Sequence, residues 1–188
     1  MRVGALLILA AAALLMARGL GHAADSAILR NDHPPEADTM PSVGDADPAM
    51  RLSMAIHFAT RNSAALNQLL ADQQNPASPE FHHWLKPGEF DNRFGATQSD
   101  LDAVAQWLTS EGFTVQSTAG GYVQFSGTVA QAEHAFATRI KRFGDGKTYA
   151  NIDDPSIPNR FAGVIANISG LDNMIHAEPV GPRVRTMP

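Results

Sequence analysis

The stretch Phe113-Thr114-Val115-Gln116-Ser117-Thr118-Ala119-Gly120-Gly121-Tyr122-Val123-Gln124-Phe125-Ser126-Gly127-Thr128-Val129-Ala130-Gln131-Ala132-Glu133-His134-Ala135-Phe136 decides the fold. Phe113 to Ser117 reads as a strand. Gly120 and Gly121 turn the chain, and Tyr122 to Ser126 returns as the hairpin partner with Val123 and Phe125 on one face. Gly127 is the strand exit. Thr128, with Gln131 three residues on, forms a capping box in which hydroxyl and amide each satisfy an orphan backbone donor. The helix so started faces inward through Val129, Ala132 and Phe136.

Toward the N-terminus, Leu52, Met54, Ile56 and Phe58 alternate with Ser53, Ala55 and His57, the pattern of a half-buried strand. Asn62 or Ser63 can cap a helix whose apolar face is Leu66, Leu69 and Leu70, and Pro76 and Pro79 stop it. Pro79 to Gly95 is aromatic-rich and reads as short helical turns. Thr97 with Asp100 is a second capping box, followed by Leu101, Val104, Ala105 and Leu108 on one face and by Gly112 as C-cap. Toward the C-terminus, Arg139 to Phe143 reads as the last strand, and Pro155 to Leu171 as a closing helix plus strand. With the two middle helical pieces taken as one crossover, the order reduces to βαββαβ. The fold class is α+β: a ferredoxin-like antiparallel sheet with helices on one face, plus an extra helical insert. The opposite sheet face is expected to be partly exposed and unusually apolar, as suits a partner surface.

The ends read differently. Residues 1–23 carry Arg2, an apolar run from Ala5 to Met16, and Gly21 and Ala23 at the −3 and −1 positions of a cleavage site, the layout of a signal peptide cut after Ala23. The run is short for a membrane span. The mature chain is thus expected to be secreted or periplasmic, with no membrane attachment after cleavage. Residues 24–49, with four prolines and six acids, read as a flexible leader. The compact domain spans residues 50–173. Residues 174–188 hold three prolines and read as a linker or tail.

Composition narrows the chemistry. The 188 residues are 44% hydrophobic, enough for a real core. The net charge is −5 and no basic block interleaves with aromatics, which argues against a nucleic-acid partner. There is no cysteine, hence no disulfide, thiolate metal site or cysteine nucleophile. Among seven histidines, His82 and His83 are adjacent rather than three or four apart, and His57 and His134 stand alone, so no metal site is expected. Ser126-Gly127-Thr128 lacks a nucleophile-elbow frame. Asp153-Asp154 and Asp100/Asp102 lie where loops and helix starts favour acids. Gly120-Gly121 opens onto a strand and does not cradle phosphate. No catalytic residue and no cofactor site emerges.

A resemblance supplies what composition does not. Asn75-Pro76-Ala77-Ser78-Pro79-Glu80-Phe81-His82-His83-Trp84-Leu85, then Phe90 and Phe94, resembles the activation domain of the sedolisin (serine-carboxyl) peptidases, the pro-kumamolisin type. The match continues through Trp107, Gly112-Phe113, Gly127, Phe136, Pro158 and Gly170-Leu171, about Leu52 to Asn173 in all. Lys86 departs from the usual Thr or Ser, forfeiting about 1 kcal/mol of capping. The resemblance implies a subtilisin-propeptide-like domain that chaperones and temporarily inhibits a mature serine-carboxyl peptidase domain, in cis or in trans. It implies that its sheet packs on the enzyme, and that the following linker runs through the active-site cleft until acid-triggered cleavage. Met174, Arg183 and Arg185 then mark the processing region. The family's Gly-Thr-Ser nucleophile motif is absent from this sequence, so the chain is not expected to hydrolyse peptides by itself.

After signal cleavage 12 Lys and Arg face 19 Asp and Glu, a net charge of −7. Below about pH 4 that sign reverses, and a complex held by carboxylates would weaken. Three readings compete. The chain is part of a zymogen precursor or a free-standing secreted protease inhibitor; it is a small exported hydrolase, to be revealed by peptide turnover; or it is an unrelated secreted ferredoxin-like interaction domain that binds no protease.

Overall fold

The computed structural model describes residues 25–118 and 121–174. In chain order its elements are β1 (Ser26–Ile28), β2 (Ser42–Asp45), β3 (Arg51–Phe58), α1 (Ser63–Gln74), α2 (Glu89–Phe94), α3 (Gln98–Ser110), β4 (Thr114–Ser117), β5 (Tyr122–Thr128), α4 (Val129–Phe136), β6 (Ile140–Phe143), β7 (Thr148–Asn151), β8 (Ser156–Pro158) and β9 (Ile165–Ser169). The expected export signal and the cleavage site expected after Ala23 lie outside the described residues, as do Arg183 and Arg185.

The main sheet has the order β4-β5-β3-β9, and every neighbouring pair is antiparallel. That is the ferredoxin-like arrangement, with α3 and α4 on one face. Alternation explains it. Leu52, Met54 and Ile56 of β3 and Val123 and Phe125 of β5 point to the helices and are buried, while their neighbours point away. Both capping boxes form as expected: Thr97 accepts from the Asp100 N–H, Thr128 from the Gln131 N–H, and each partner side chain reaches back.

The centre of the core is aromatic. Phe136 stacks on Phe113 at 5.7 Å and meets Trp107 and Phe125 edge-on at 5.9 and 6.2 Å. Gly127 is needed where this cluster meets β5. A Cβ there would lie 2.4 Å from the Phe113 ring.

Four expectations are corrected. Residues 139–143 form a strand, β6, but it does not close the main sheet. It pairs with β2 and with β7, its hairpin partner across the Gly144–Lys147 turn, and β9 takes the fourth place in the main sheet. From Asp25 on, the stretch read as a flexible leader is built into the fold. β1 pairs with β8, β2 with β6, and Leu29, Ala37 and Ala46 are buried. Its anchors are single residues between short edge strands, so no periodicity betrays them. In α1 only Leu69 of the expected face is buried, Leu70 is 46% exposed, and Asn62 precedes the helix in a left-handed conformation without a side-chain cap. The closing helix before β9 is reduced to one 3-10 turn, Asn159–Phe161.

Candidate partner-binding surface

Among the described residues the main sheet is covered by helices on one face only. The other face presents Arg51, Ser53, Ala55 and His57 from β3, Tyr122, Gln124 and Ser126 from β5, Gln116 from β4 and Asn167 and Ser169 from β9, as the strand registers dictate. This face was expected to be unusually apolar. It is polar and small-featured instead, because the outward positions of the alternation are mostly Ser, Gln and Asn.

The side chains on it are tied together. Arg51 Nη2 and Gln116 Nε2 both donate to Ser126 Oγ at 3.2 Å. His57 Nε2 and Ser169 Oγ share a hydrogen bond of 3.0 Å, and the Tyr122 ring lies 6.2 Å from the imidazole. A shallow hollow of about 300 Å³ opens between Ser53, Ala55, His57, Tyr122, Gln124 and Ser169. None of these side chains is a carboxylate. The face is flat, rich in donors and acceptors, and carries Arg51 as its fixed charge. Such a surface suits docking of a folded domain better than enclosure of a small ligand.

The motif residues fall into two groups. Trp107, Phe113, Gly127, Phe136 and Leu171 are buried in the main core, with Pro158 at its edge, and Gly112 ends α3 through its N–H to the Thr109 carbonyl. The segment from Pro76 to Phe94 contributes none of the residues that line the hollow on the open face. There Asn75 and Ser78 side chains accept from the N–H groups of Ala77 and Glu80, shaping a turn around the exposed Pro76 and Pro79. The buried side-chain amide of Gln73 at the end of α1 donates to the His83 carbonyl, and the Gln73 backbone carbonyl receives the His82 N–H. His82, at φ 58°, stacks on Phe81 at 3.7 Å. Leu85 is half-buried and Phe94 buried, whereas Trp84 is 67% and Phe90 43% exposed. Glu89 accepts from the Lys86 N–H, but α2 starts at Glu89 with Gly88 as its N-cap, so Lys86 does not occupy the cap position expected of it.

Met174, placed at the head of the tail, is partly buried against Ala37, Phe143 and Ala150, and its N–H bonds Asp172. Of the two acidic pairs, Asp100 caps α3, and Asp154 binds the N-terminal segment. Sequence reading passed over that segment's Asp32 and His33, which carry no periodic or motif signal. Among the described residues no three His, Asp or Glu side chains converge to hold a metal ion. Among the same residues no helix is long and apolar enough to cross a membrane.

Comparison with known proteins agrees with this layout. The family model described as "Pro-kumamolisin, activation domain" matches residues 39–174. The chain is 34% identical over 134 residues to xanthomonalisin of Xanthomonas sp. (strain T-22), covering 69% of this chain and 16% of that protein. It is 33% identical over 104 residues to tripeptidyl-peptidase sed4 of Aspergillus fumigatus, covering 55% of this chain and 17% of that one. It is 26% identical over 131 residues to sedolisin of Pseudomonas sp. (strain 101), covering 68% of this chain and 22% of that one. The matches thus span about a fifth of the relatives' lengths.

Proposed function

Because the chain belongs to the pro-kumamolisin activation-domain family, we propose that it is the propeptide of an exported acid serine-carboxyl endopeptidase, acting as intramolecular chaperone and temporary inhibitor. The observation that carries this reading is the open face of the β4-β5-β3-β9 sheet. A sheet face left bare of helices, with its side chains pre-ordered by hydrogen bonds, offers a second folded domain a surface at little entropic cost.

The chaperone role follows from the same contact. A surface that binds only the folded peptidase stabilises it by mass action, and a tethered partner is present at high effective concentration. Inhibition follows from the linker. The main sheet ends at β9, and residues 174–188 would continue toward the enzyme's cleft, with cleavage near Met174, Arg183 or Arg185. In this reading residues 1–23 direct export and are removed after Ala23. Catalysis belongs to the peptidase domain, not to this chain.

Acid release also takes a definite form. The open face supplies Arg51 and His57 rather than carboxylates, so the acid-labile partners at this contact belong to the peptidase. As they protonate in acid, their attraction to Arg51 fades.

The test is a titration of residues 24–188 into a mature serine-carboxyl peptidase at pH 6 and pH 4. Tight, slow inhibition at pH 6 that weakens at pH 4 is expected. A folded protein that inhibits at neither pH overturns the reading, and equal affinity from pH 7 to 3.5 removes the acid trigger. Ala55→Lys, at the middle of the open face, is expected to weaken inhibition about tenfold or more, since it buries an unpaired charge at the contact. Its melting temperature should not change, because Ala55 faces away from the core.

A further inference from the structure

Besides its strand pairings and buried anchors, the N-terminal segment is held to the body through the Asp154 carboxylate. Asp154 accepts from the backbone N–H groups of Asn31 and Asp32 at 3.1 and 3.0 Å and from His33 Nδ1 at 2.6 Å. Asp32 turns inward. Its Oδ2 accepts from the N–H of Ile168 in β9 at 2.9 Å, and its carbonyl accepts from Asn151 Nδ2 at 2.9 Å. Asn151, only 1% exposed, also donates to the Asp153 carbonyl at 3.1 Å. Its Oδ1 is buried and finds no hydrogen-bond partner among the described residues. Turning the amide over would set oxygen against two carbonyls, so its orientation is fixed. The cluster is one proton donor short, beside a partly buried carboxyl group.

We propose that Asp32 is a proton latch: a proton held on its carboxyl group closes the strap of residues 25–46 onto β9 and the Asn151–Asp154 loop, and loss of that proton loosens it. The charged groups facing the latch are His33 and Asp38 of the strap, 3.5 Å apart, Asp154 and Asp153 of the loop, and Asp172 beyond β9. Asp153 is engaged by Arg139 at 3.3 Å.

The titrations point one way across the mildly acid range. Burial, opposed by the Ile168 N–H and reinforced by the charges of Asp154 and Asp172, pushes Asp32 up to about 6. The folded chain therefore holds this proton more tightly than the unfolded one. Its stabilising effect is in place near pH 4 and is lost as pH rises through about 6. His33 is raised, chiefly by its hydrogen bond to Asp154, so its contribution too is lost on the alkaline side. Burial pushes Asp154 up, but the hydrogen bonds from His33, Asn31 and Asp32 outweigh it and hold the carboxyl below its ordinary value. Its contribution is lost only in stronger acid. The strap is tightest at about pH 4 to 5. Acid closes it, so release in acid would have to occur at the enzyme contact, with the domain still folded.

Hydrogen exchange of the full chain at pH 7.5 and pH 5, corrected for intrinsic rates, tests this independently of any protease. Amides of residues 26–45 are expected to gain about tenfold in protection at pH 5, a gain discounted for the partial exposure of Asp32. In Asp32→Asn the side chain is uncharged at any pH and its amide oxygen can still accept from Ile168. Protection at pH 7.5 should then approach the wild-type value at pH 5. Equal wild-type protection at both pH values overturns the proposal. So does an Asp32→Asn strap that is less protected at both while the core amides are unchanged. Should that variant not fold, a carbon-detected titration of the wild-type Asp32 carboxyl decides: a midpoint below 4.5 refutes the latch, and one near 6 supports it.

Discussion

Phe136→Ala is expected to lower the unfolding free energy by about 4 kcal/mol. Phe136 is fully buried and is the ring around which Trp107, Phe113 and Phe125 are arranged. Truncation removes its apolar area and leaves a void bounded by three rigid rings. Those rings are themselves fixed by α3, the connection into β4, and β5, so the site cannot collapse to fill it. The aromatic contacts add to the loss beyond area alone. For a domain of this size the change corresponds to a fall of about 10–15 °C in melting temperature. Phe136→Leu restores most of the volume and should cost about 1–1.5 kcal/mol. Urea melts of the two variants check both values. A loss under about 2 kcal/mol for the alanine variant would mean that the cluster repacks, contrary to its interlocked geometry.

What the sequence made legible was local. The β4-β5 hairpin, α4 and α3 with their capping boxes, and β3 each carry a period or a cap within a dozen residues. The topology of the main sheet follows from them. Its closing strand did not follow, because a four-residue strand such as β6 says nothing about which sheet it joins. In β9 only Ile165 and Ile168 are buried, a spacing set by the bulge opposite His57 and Phe58 that hides the two-residue period. β1 and β2 were illegible for another reason: their partners, β8 and β6, lie about 130 and about 100 residues downstream. The polarity of the open face was readable in Ser53, His57, Gln124 and Ser126. The expectation of an apolar face came from reasoning about partners rather than from those residues. Asp32 was invisible, since its significance lies in Ile168 and Asn151, which only the folded chain brings to it.

Gly170→Ala is expected to cost about 3 kcal/mol or more, and to damage the binding face as well as the fold. Gly170 follows β9 at φ +91°, a region that L side chains avoid at a cost of about 1–2 kcal/mol. The larger part is steric. A Cβ on Gly170 would lie 2.2 Å from the Ser53 carbonyl oxygen and 3.0 Å from Met54 Cα. Both are backbone atoms of the central strand, so no rotamer change relieves the contact. Relief requires β9 to withdraw from β3, which strains the ladder from Ala55–Ser169 to Phe58–Ile165. It would also separate Ser169 from His57, the hydrogen bond that orders this side of the open face. Gly163 separates the two causes. It has φ +74° with nothing within 4 Å of a Cβ, so Gly163→Ala bears the conformational cost alone. Equal losses at the two positions would show that β9 is free to move and that the close approach to Ser53 is unimportant. A clearly larger loss at Gly170, with inhibition weakened even under conditions where the variant remains folded, would tie the integrity of the docking surface to a position where β3 leaves no room for a side chain.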